Sequence, residues 1–383
     1  MQKILIALFA IFAFLSSGVA ASAATWKPVT PEGYAPITWA KATGIASFFK
    51  APSGSGSLDF LTRIYLPQNQ IQFIFSTTSE SLDWGLANTT FVTNIGIEYS
   101  TPAVVAPTTT DDPFGNAQTS TPVVVPITPV VNPYHNFAFP RFVAEQGKRI
   151  SADNKFVWNA PFFNVTLPTS DLSMGMKYTV GTTTIVSSGS RPDFDIASSR
   201  RMLLINNRTG RANIQEFDAE IFVGAASGDQ AFESFAPDVG KSDGVGTARL
   251  FIGVMPNKQE LVIYCSQSAT VGEASRALSL AGVPLENQLQ ADGGGSASCG
   301  YNLPGQYFVE PNRTLPVMMG ASTLLGRGNP TTDGLNVRSG PATKYSVVTK
   351  INKNITVRIL EEKTGWYRIG DGQWVSKTLI KKQ

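Results

Sequence analysis

The residue types best suited to chemistry lie in one short string, Asp292-Gly293-Gly294-Gly295-Ser296. Three consecutive glycines leave no Cβ to block approach and admit left-handed backbone. Successive amides in such a turn can converge on an anion. Asp292 adds a carboxylate that can act as a base toward water or stabilise a developing cation. Ser296 adds a hydroxyl, and with no base supplied to it, it reads as a ligand-binding group and not as a nucleophile. A flexible surface turn has the same composition, so the string by itself specifies only an anion-friendly bend. Arg249 offers a planar, two-pronged donor to phosphate oxygens, or it pairs with a surface acid. Asn159 serves either a ligand or a turn between strands.

Other chemistries are excluded by what is scarce. The 383 residues contain one histidine, His135, and two cysteines, Cys265 and Cys299. A zinc site of the usual His and Cys type lacks ligands. A Ser-His-Asp triad would have to draw on His135, which sits in a proline-rich stretch. No cofactor is expected, and a divalent metal is left open.

The elements that must position these residues are legible around them. Arg249-Leu-Phe-Ile-Gly-Val254 and Leu261-Val-Ile-Tyr264 read as two strands about the turn Pro256-Asn257-Lys258. A helix follows: Thr270 and Glu273 have capping-box spacing, and Val271, Ala274, Ala277, Leu278 and Ala281 recur at helical spacing. Gly282 and Pro284 close it. Leu289 to Ala291 is then a short strand that ends at Asp292. Read as a strand, helix, strand crossover with parallel strands, this puts Tyr264 and Asp292 at one carboxyl edge, where sites in mixed sheets form. Cys265 and Cys299 would share that edge and, in an exported protein, form a disulfide pinning the glycine loop. Closing about 34 residues contributes on the order of 3 to 4 kcal/mol.

Leu289-Gln-Ala-Asp-Gly-Gly-Gly-Ser-Ala297, following a helix that opens with Thr270, resembles the signature of the phosphodiester glycosidase family. Phe156-Val-Trp-Asn-Ala-Pro-Phe-Phe-Asn164 and Arg249-Leu-Phe-Ile-Gly253 resemble two further family segments, in the same order. The chain departs from that pattern at Ala160-Pro161 and Leu250-Phe251. The resemblance covers roughly 137–319 and implies cleavage between a sugar's anomeric carbon and a phosphate. Asp292, Arg249 and Asn159 would then be catalytic, with Gly293, Gly294, Gly295 and Ser296 binding substrate. The substrate would be an N-acetylglucosamine-1-phosphodiester or an envelope polymer. Glycosidases usually employ a second carboxylate; Asp171, Asp193, Asp195, Asp218 and Glu220 are available, while Glu273 is better explained as a helix cap. Trp158, Phe162 and Phe163 read as core.

The remaining organisation frames this site. Met1-Gln2-Lys3, the apolar run Ile4 to Leu15 and the small residues Ala21-Ser22-Ala23 have the pattern of a signal peptide. A secreted, periplasmic or cell-wall-associated bacterial protein with no membrane span after cleavage is expected. Residues 24–320 form the main domain, an α+β mixed-sheet catalytic domain. Runs 60–66 and 71–75 are strands within it, and 101–133, with seven prolines, is an insertion or linker. A connector covers 321–332. Residues 333–383 hold ten Lys and Arg against four Asp and Glu, so the net +3 of the chain resides there. Gly334-Leu-Asn-Val-Arg-Ser-Gly-Pro341 and the short strands after it resemble the bacterial SH3-type domain, a small all-β barrel whose expected ligand is a cell-wall polymer. Trp366 and Trp374 read as packing residues. No nucleic-acid partner is expected. Two alternatives stand beside a phosphodiester glycosidase: a non-catalytic glycan or wall-binding protein, and a hydrolase of ordinary glycosidic bonds.

Overall fold

A computed structural model describes residues 26–39, 42–51, 57–75, 123–124, 154–159, 162, 176–180, 183–187, 200–223, 230–237, 246–301, 307–310, 317–370 and 372–383. The expected signal peptide, nearly all of the proline-rich stretch, His135, Asp171, Asp193, Asp195 and Phe163 lie outside them.

The α+β expectation is overturned. The protein is mostly β, and only two α-helices, Ala219–Val223 and Val271–Leu280, occur among the described residues. Strands pair antiparallel throughout these residues except at the two-residue contact of Val123–Val124 with Thr183–Ser187. The largest sheet runs from Ala35–Pro36 through Ile45–Lys50, Asp59–Tyr65, Glu260–Ala269, Thr247–Val254, Gln288–Gln290 and Gln230–Phe235 to Met176–Val180 and beyond. A second sheet has the order Tyr307–Val309, Cys299–Tyr301, Asn154–Asn159, Val317–Thr323, Asn69–Phe75.

The misreading has a physical cause. Unbroken apolar runs such as Leu250-Phe-Ile mark strands covered on both faces, a usual property of parallel sheets. Here the large sheet is antiparallel and still covered twice. Leu250, Ile252, Ile263 and Cys265 face the second sheet's Phe156, Trp158, Cys299 and Met319. Phe251, Val262 and Tyr264 face Val271, Ala274 and Leu278 of the helix. The expected crossover survives in altered form. Glu260–Ala269 and Gln288–Gln290 run in the same direction, but Thr247–Val254 lies between them and is antiparallel to both. The end of the short strand therefore meets the start of the Arg249 strand.

The helix between them follows its sequence closely. Thr270 and Glu273 form both halves of the capping box. At the other end Gly282 has φ +92° and Val283 N donates to Leu278 O at 3.0 Å, a Schellman closure. The chain passes between sheets at Pro67: Asp59–Tyr65 belongs to the first, Asn69–Phe75 to the second, and a turn of 3-10 helix at Leu66–Gln68 joins them.

Cys265 and Cys299 form a disulfide, with Cα atoms 6.6 Å apart. They do not share a sheet edge as expected. Cys265 belongs to the first sheet and Cys299 to the second, so the bond staples the two layers through their common core. A buried chain of hydroxyls does the same nearby: Ser47 Oγ lies 2.8 Å from Thr62 Oγ1 and 3.0 Å from Tyr301 Oη. Burial there pushes the Tyr301 phenol up to about 12.

The stretch 321–332 carries strands. Val317–Thr323 lies inside the second sheet, between Asn154–Asn159 and Asn69–Phe75, and Gly326–Pro330 pairs with Val357–Ile359 and Ile380–Lys382 of the C-terminal module. The buried Arg327 fastens this strand to the main body by donating to the carbonyls of Leu66, Pro67, Asn207 and Arg208. The module's own core gathers Val337, Ile359, Tyr367 and Val375 between a three-stranded and a five-stranded sheet. These sheets are not closed into the expected barrel. Trp374 is buried and Trp366 half-buried.

Hydrogen bonds from the Thr270 backbone and hydroxyl hold the Glu273 carboxyl below its ordinary pKa. A depressed carboxyl stabilises the fold above its unfolded pKa of about 4.3, and that contribution disappears as pH falls through the lower folded value. Glu273→Gln is therefore expected to lower the unfolding midpoint at pH 6 and to match the wild type at strongly acid pH, as read by urea titration across pH. A pH-independent difference would contradict this role.

Candidate functional site

The site forms where the two sheets end together. Asn159 is the last residue of Asn154–Asn159 in the second sheet, and its carboxamide reaches the glycine loop that leaves the first. Nδ2 donates to Asp292 O at 2.6 Å, and Oδ1 accepts from Ser298 N at 2.7 Å. The Asn159 backbone N donates to Ser298 O at 3.1 Å. One side chain thus holds both ends of the loop 292–298. The strand before the loop is held from its other side: Gln290 Nε2 donates to Ala236 O at 2.8 Å, and Ser234 Oγ donates to Gln290 O.

Within the loop the glycines answer separate constraints. A Cβ on Gly293 would lie 2.9 Å from Ala248 O, so the loop rests directly on the backbone before Arg249. Gly294 has φ +57°, in the left-handed region. A single 3-10 turn, Gly294–Ser296, follows, closed by Ser296 N to Gly293 O at 3.1 Å and Ala297 N to Gly294 O at 3.2 Å. Asp292, Gly293, Gly294 and Gly295 are half-buried. Ser296 is only 1% exposed, and its hydroxyl has no hydrogen-bond partner among the described residues. Buried hydroxyls are ordinarily satisfied, so this oxygen is a vacant donor and acceptor at the base of the turn.

Asn159, Asp292 and Ser296 are therefore brought together. Arg249 joins them through its backbone. Its side chain is buried, shares a strand face with Phe251 by alternation, and donates from Nε to Ala269 O at 3.2 Å beneath the helix start. Two other residues proposed as carboxylate partners have local structural settings: Asp218 Oδ1 caps the short helix by accepting from Ile221 N at 3.0 Å, and Glu220 is exposed in its first turn. Trp158 is fully buried in the core, and Phe162 packs against Phe235 with ring centroids 5.2 Å apart. Among the described residues no three His, Cys, Asp or Glu side chains gather to hold a metal. No described helix is long and apolar enough to cross a membrane. Sequence reasoning missed Ser298 and Gln290. Ser298 acts through backbone groups that no side-chain pattern reveals, whereas two buried glutamines in the three-residue strand Gln288–Gln290 are a visible signal.

The family model of the bacterial SH3 domain matches residues 333–381. No curated protein matches the chain. Several solved structures are similar at low level, three of them as follows. A hypothetical protein from Synechocystis has 10% identity and TM-score 0.35, covering 76% of this chain. The chain spans 64% of that protein's length. The catalytic domain of zebrafish N-acetylglucosamine-1-phosphodiester α-N-acetylglucosaminidase, auto-inhibited by its pro-peptide, has 11% identity and TM-score 0.38, covering 76% of this chain and 88% of its own. An exported protein from Burkholderia pseudomallei K96243 has 9% identity and TM-score 0.28, covering 78% and 98%. Likeness of this size carries no information about which residues act.

Asn159→Ala removes the acceptor of Ser298 N and the donor to Asp292 O. Each buried group so orphaned costs about 1 to 3 kcal/mol. The expected result is a loss in that range or above by denaturant unfolding, with faster hydrogen exchange at the Ser298 amide. An unchanged Ser298 exchange rate would show that the loop is held by something else.

Proposed function

We propose that this protein is an exported hydrolase that cleaves a sugar 1-phosphodiester between the anomeric carbon and the phosphate. The C-terminal module would hold it to envelope polymer. The observation that carries the reading is the vacant Ser296 hydroxyl, buried inside a glycine turn whose ends Asn159 clamps. The ordered resemblance of the Asn159, Arg249 and Asp292 segments to phosphodiester glycosidases supports it. The disulfide and the SH3 module fit an extracellular protein.

In this reading the Ser296 hydroxyl and the Gly294 and Gly295 amides hold phosphate oxygens. Arg249 provides a positive charge in a low-dielectric setting, where it acts more strongly than in water. The departing phosphate monoester has a second pKa near about 6 and is a competent leaving anion at neutral pH. Strong general-acid help is therefore unnecessary. Water adds to the anomeric carbon as the carbon to phosphate-oxygen bond breaks, with the bonding pair leaving on phosphate. The half-buried Asp292 carboxylate takes the water proton or stabilises the oxocarbenium-like charge. A second reading is glycan binding without turnover, favoured by the local cap in which Asp218 accepts from Ile221 N and by the exposed position of Glu220.

Purified protein should release free N-acetylglucosamine, or another reducing sugar, from a 1-phosphodiester. Asp292→Asn should lower kcat/KM by about 100-fold or more with an unchanged unfolding transition, and Arg249→Ala, which also orphans Ala269 O, should lower kcat/KM as much while lowering the unfolding midpoint. Unchanged turnover in both variants would overturn the site assignment. No release from any sugar phosphodiester, with binding retained, would favour the second reading.

A further inference from the structure

The C-terminal module carries an aromatic ring that is packed on one side and open on the other. Tyr345 is 40% exposed, yet its ring is held in place. A Cβ on Gly340 would lie 2.6 to 2.7 Å from three Tyr345 ring atoms, so the ring lies against bare backbone and no other residue fits at position 340 without moving it. The loop carrying both is tied across itself: Arg338 donates to Tyr345 O at 2.8 Å, and Ser339 N donates to Ser346 O at 2.9 Å. The Lys344 ammonium lies 5.8 Å from the Tyr345 ring centroid. The strand that follows, Val347–Ile351, is the edge of its sheet and carries Lys350. Between Asp333 and Glu361 the chain has no acidic residue. Lysines on an edge strand guard against unwanted pairing, which explains Lys350. They do not explain a tyrosine ring fixed on one side and open beside a cation.

We infer that this face binds a sugar-phosphate polymer, with a pyranose ring over Tyr345 and the adjoining phosphodiester at Lys344. A rigid aromatic surface suits the apolar face of a sugar at small entropic cost, and the exposed Lys344 ammonium beside it suits the adjoining anion. The choice of phosphate over another anion rests on the proposed activity of the main body, because the module would then retain the class of polymer that the glycine loop cleaves.

The test is calorimetric binding to the full-length Asp292→Asn chain, with poly(N-acetylglucosamine 1-phosphate), polygalacturonate and neutral dextran as probes. Binding is read without turnover, so a failure of hydrolysis leaves this result intact. The phosphate polymer should bind in a salt-sensitive manner, and dextran should not. Tyr345→Ala and Gly340→Ala should each weaken binding about tenfold, while Tyr345→Phe, which keeps the ring, should retain it. Undiminished affinity in both Tyr345→Ala and Gly340→Ala, with the module's unfolding transition intact, would overturn the proposal. Equal binding of dextran would also overturn it, and equal binding of polygalacturonate would overturn the commitment to phosphate. Tyr345-dependent binding in a protein that releases no sugar would support this face and count against the proposed activity alone.

Discussion

The hydrogen bonds of one carboxamide hold the proposed site together. Asn159 stands at the end of a strand in one sheet and grips the first carbonyl and the last amide of a loop that begins in the other. A buried amide side chain is costly unless satisfied, and here both of its polar atoms are used to close the loop. The residue after Ser298, Cys299, is bonded to Cys265 of the other sheet. The loop 292–298 is therefore bounded by a hydrogen-bonded clamp and, immediately after it, a covalent one. Between these clamps the 3-10 turn at Gly294–Ser296 fixes the backbone further.

That arrangement depends on two sheets staying in register. The large sheet is buried on both faces, by the second sheet and by the capped helix. Loss of either cover would expose Leu250, Ile252 and Ile263, or Phe251 and Tyr264. The disulfide and the Ser47, Thr62 and Tyr301 hydroxyls cross the sandwich at separate points, which resists sliding as well as separation. On the far side Arg327 ties the module to the Pro67 corner. The C-terminal module and the loop thus belong to one connected framework of strands.

Local rules made some of this legible in sequence. Thr270 and Glu273 announced a helix start because a capping box needs only four residues, and the hairpin about Asn257 and the pairing of Cys265 with Cys299 were readable in the same way. The sheet class was not. Alternation and apolar runs report how many faces of a strand are covered, and Leu250 to Val254 is covered twice whether its neighbours run parallel or antiparallel. Strand direction is set by what lies between Glu260–Ala269 and Gln288–Gln290, a long-range fact. The connector at 321–332 is itself built of strand, which its composition does not announce: Gly328 lies where a Cβ would meet Ile380 and the Lys381 backbone, a close approach made by a paired strand. Asn159 and Arg249 were legible as residues, whereas the direction of the Arg249 side chain, toward Ala269, was not.

The central claim is that the clamped turn holds the phosphate of a sugar phosphodiester, with Ser296 as the buried donor. Its most direct test is a crystal structure of the Asp292→Asn chain with N-acetylglucosamine 1-phosphate bound. The account predicts phosphate oxygens within about 3.2 Å of Ser296 Oγ and of the Gly294 or Gly295 amides. A sugar phosphate seated elsewhere, with the Ser296 hydroxyl still without a partner, would contradict it.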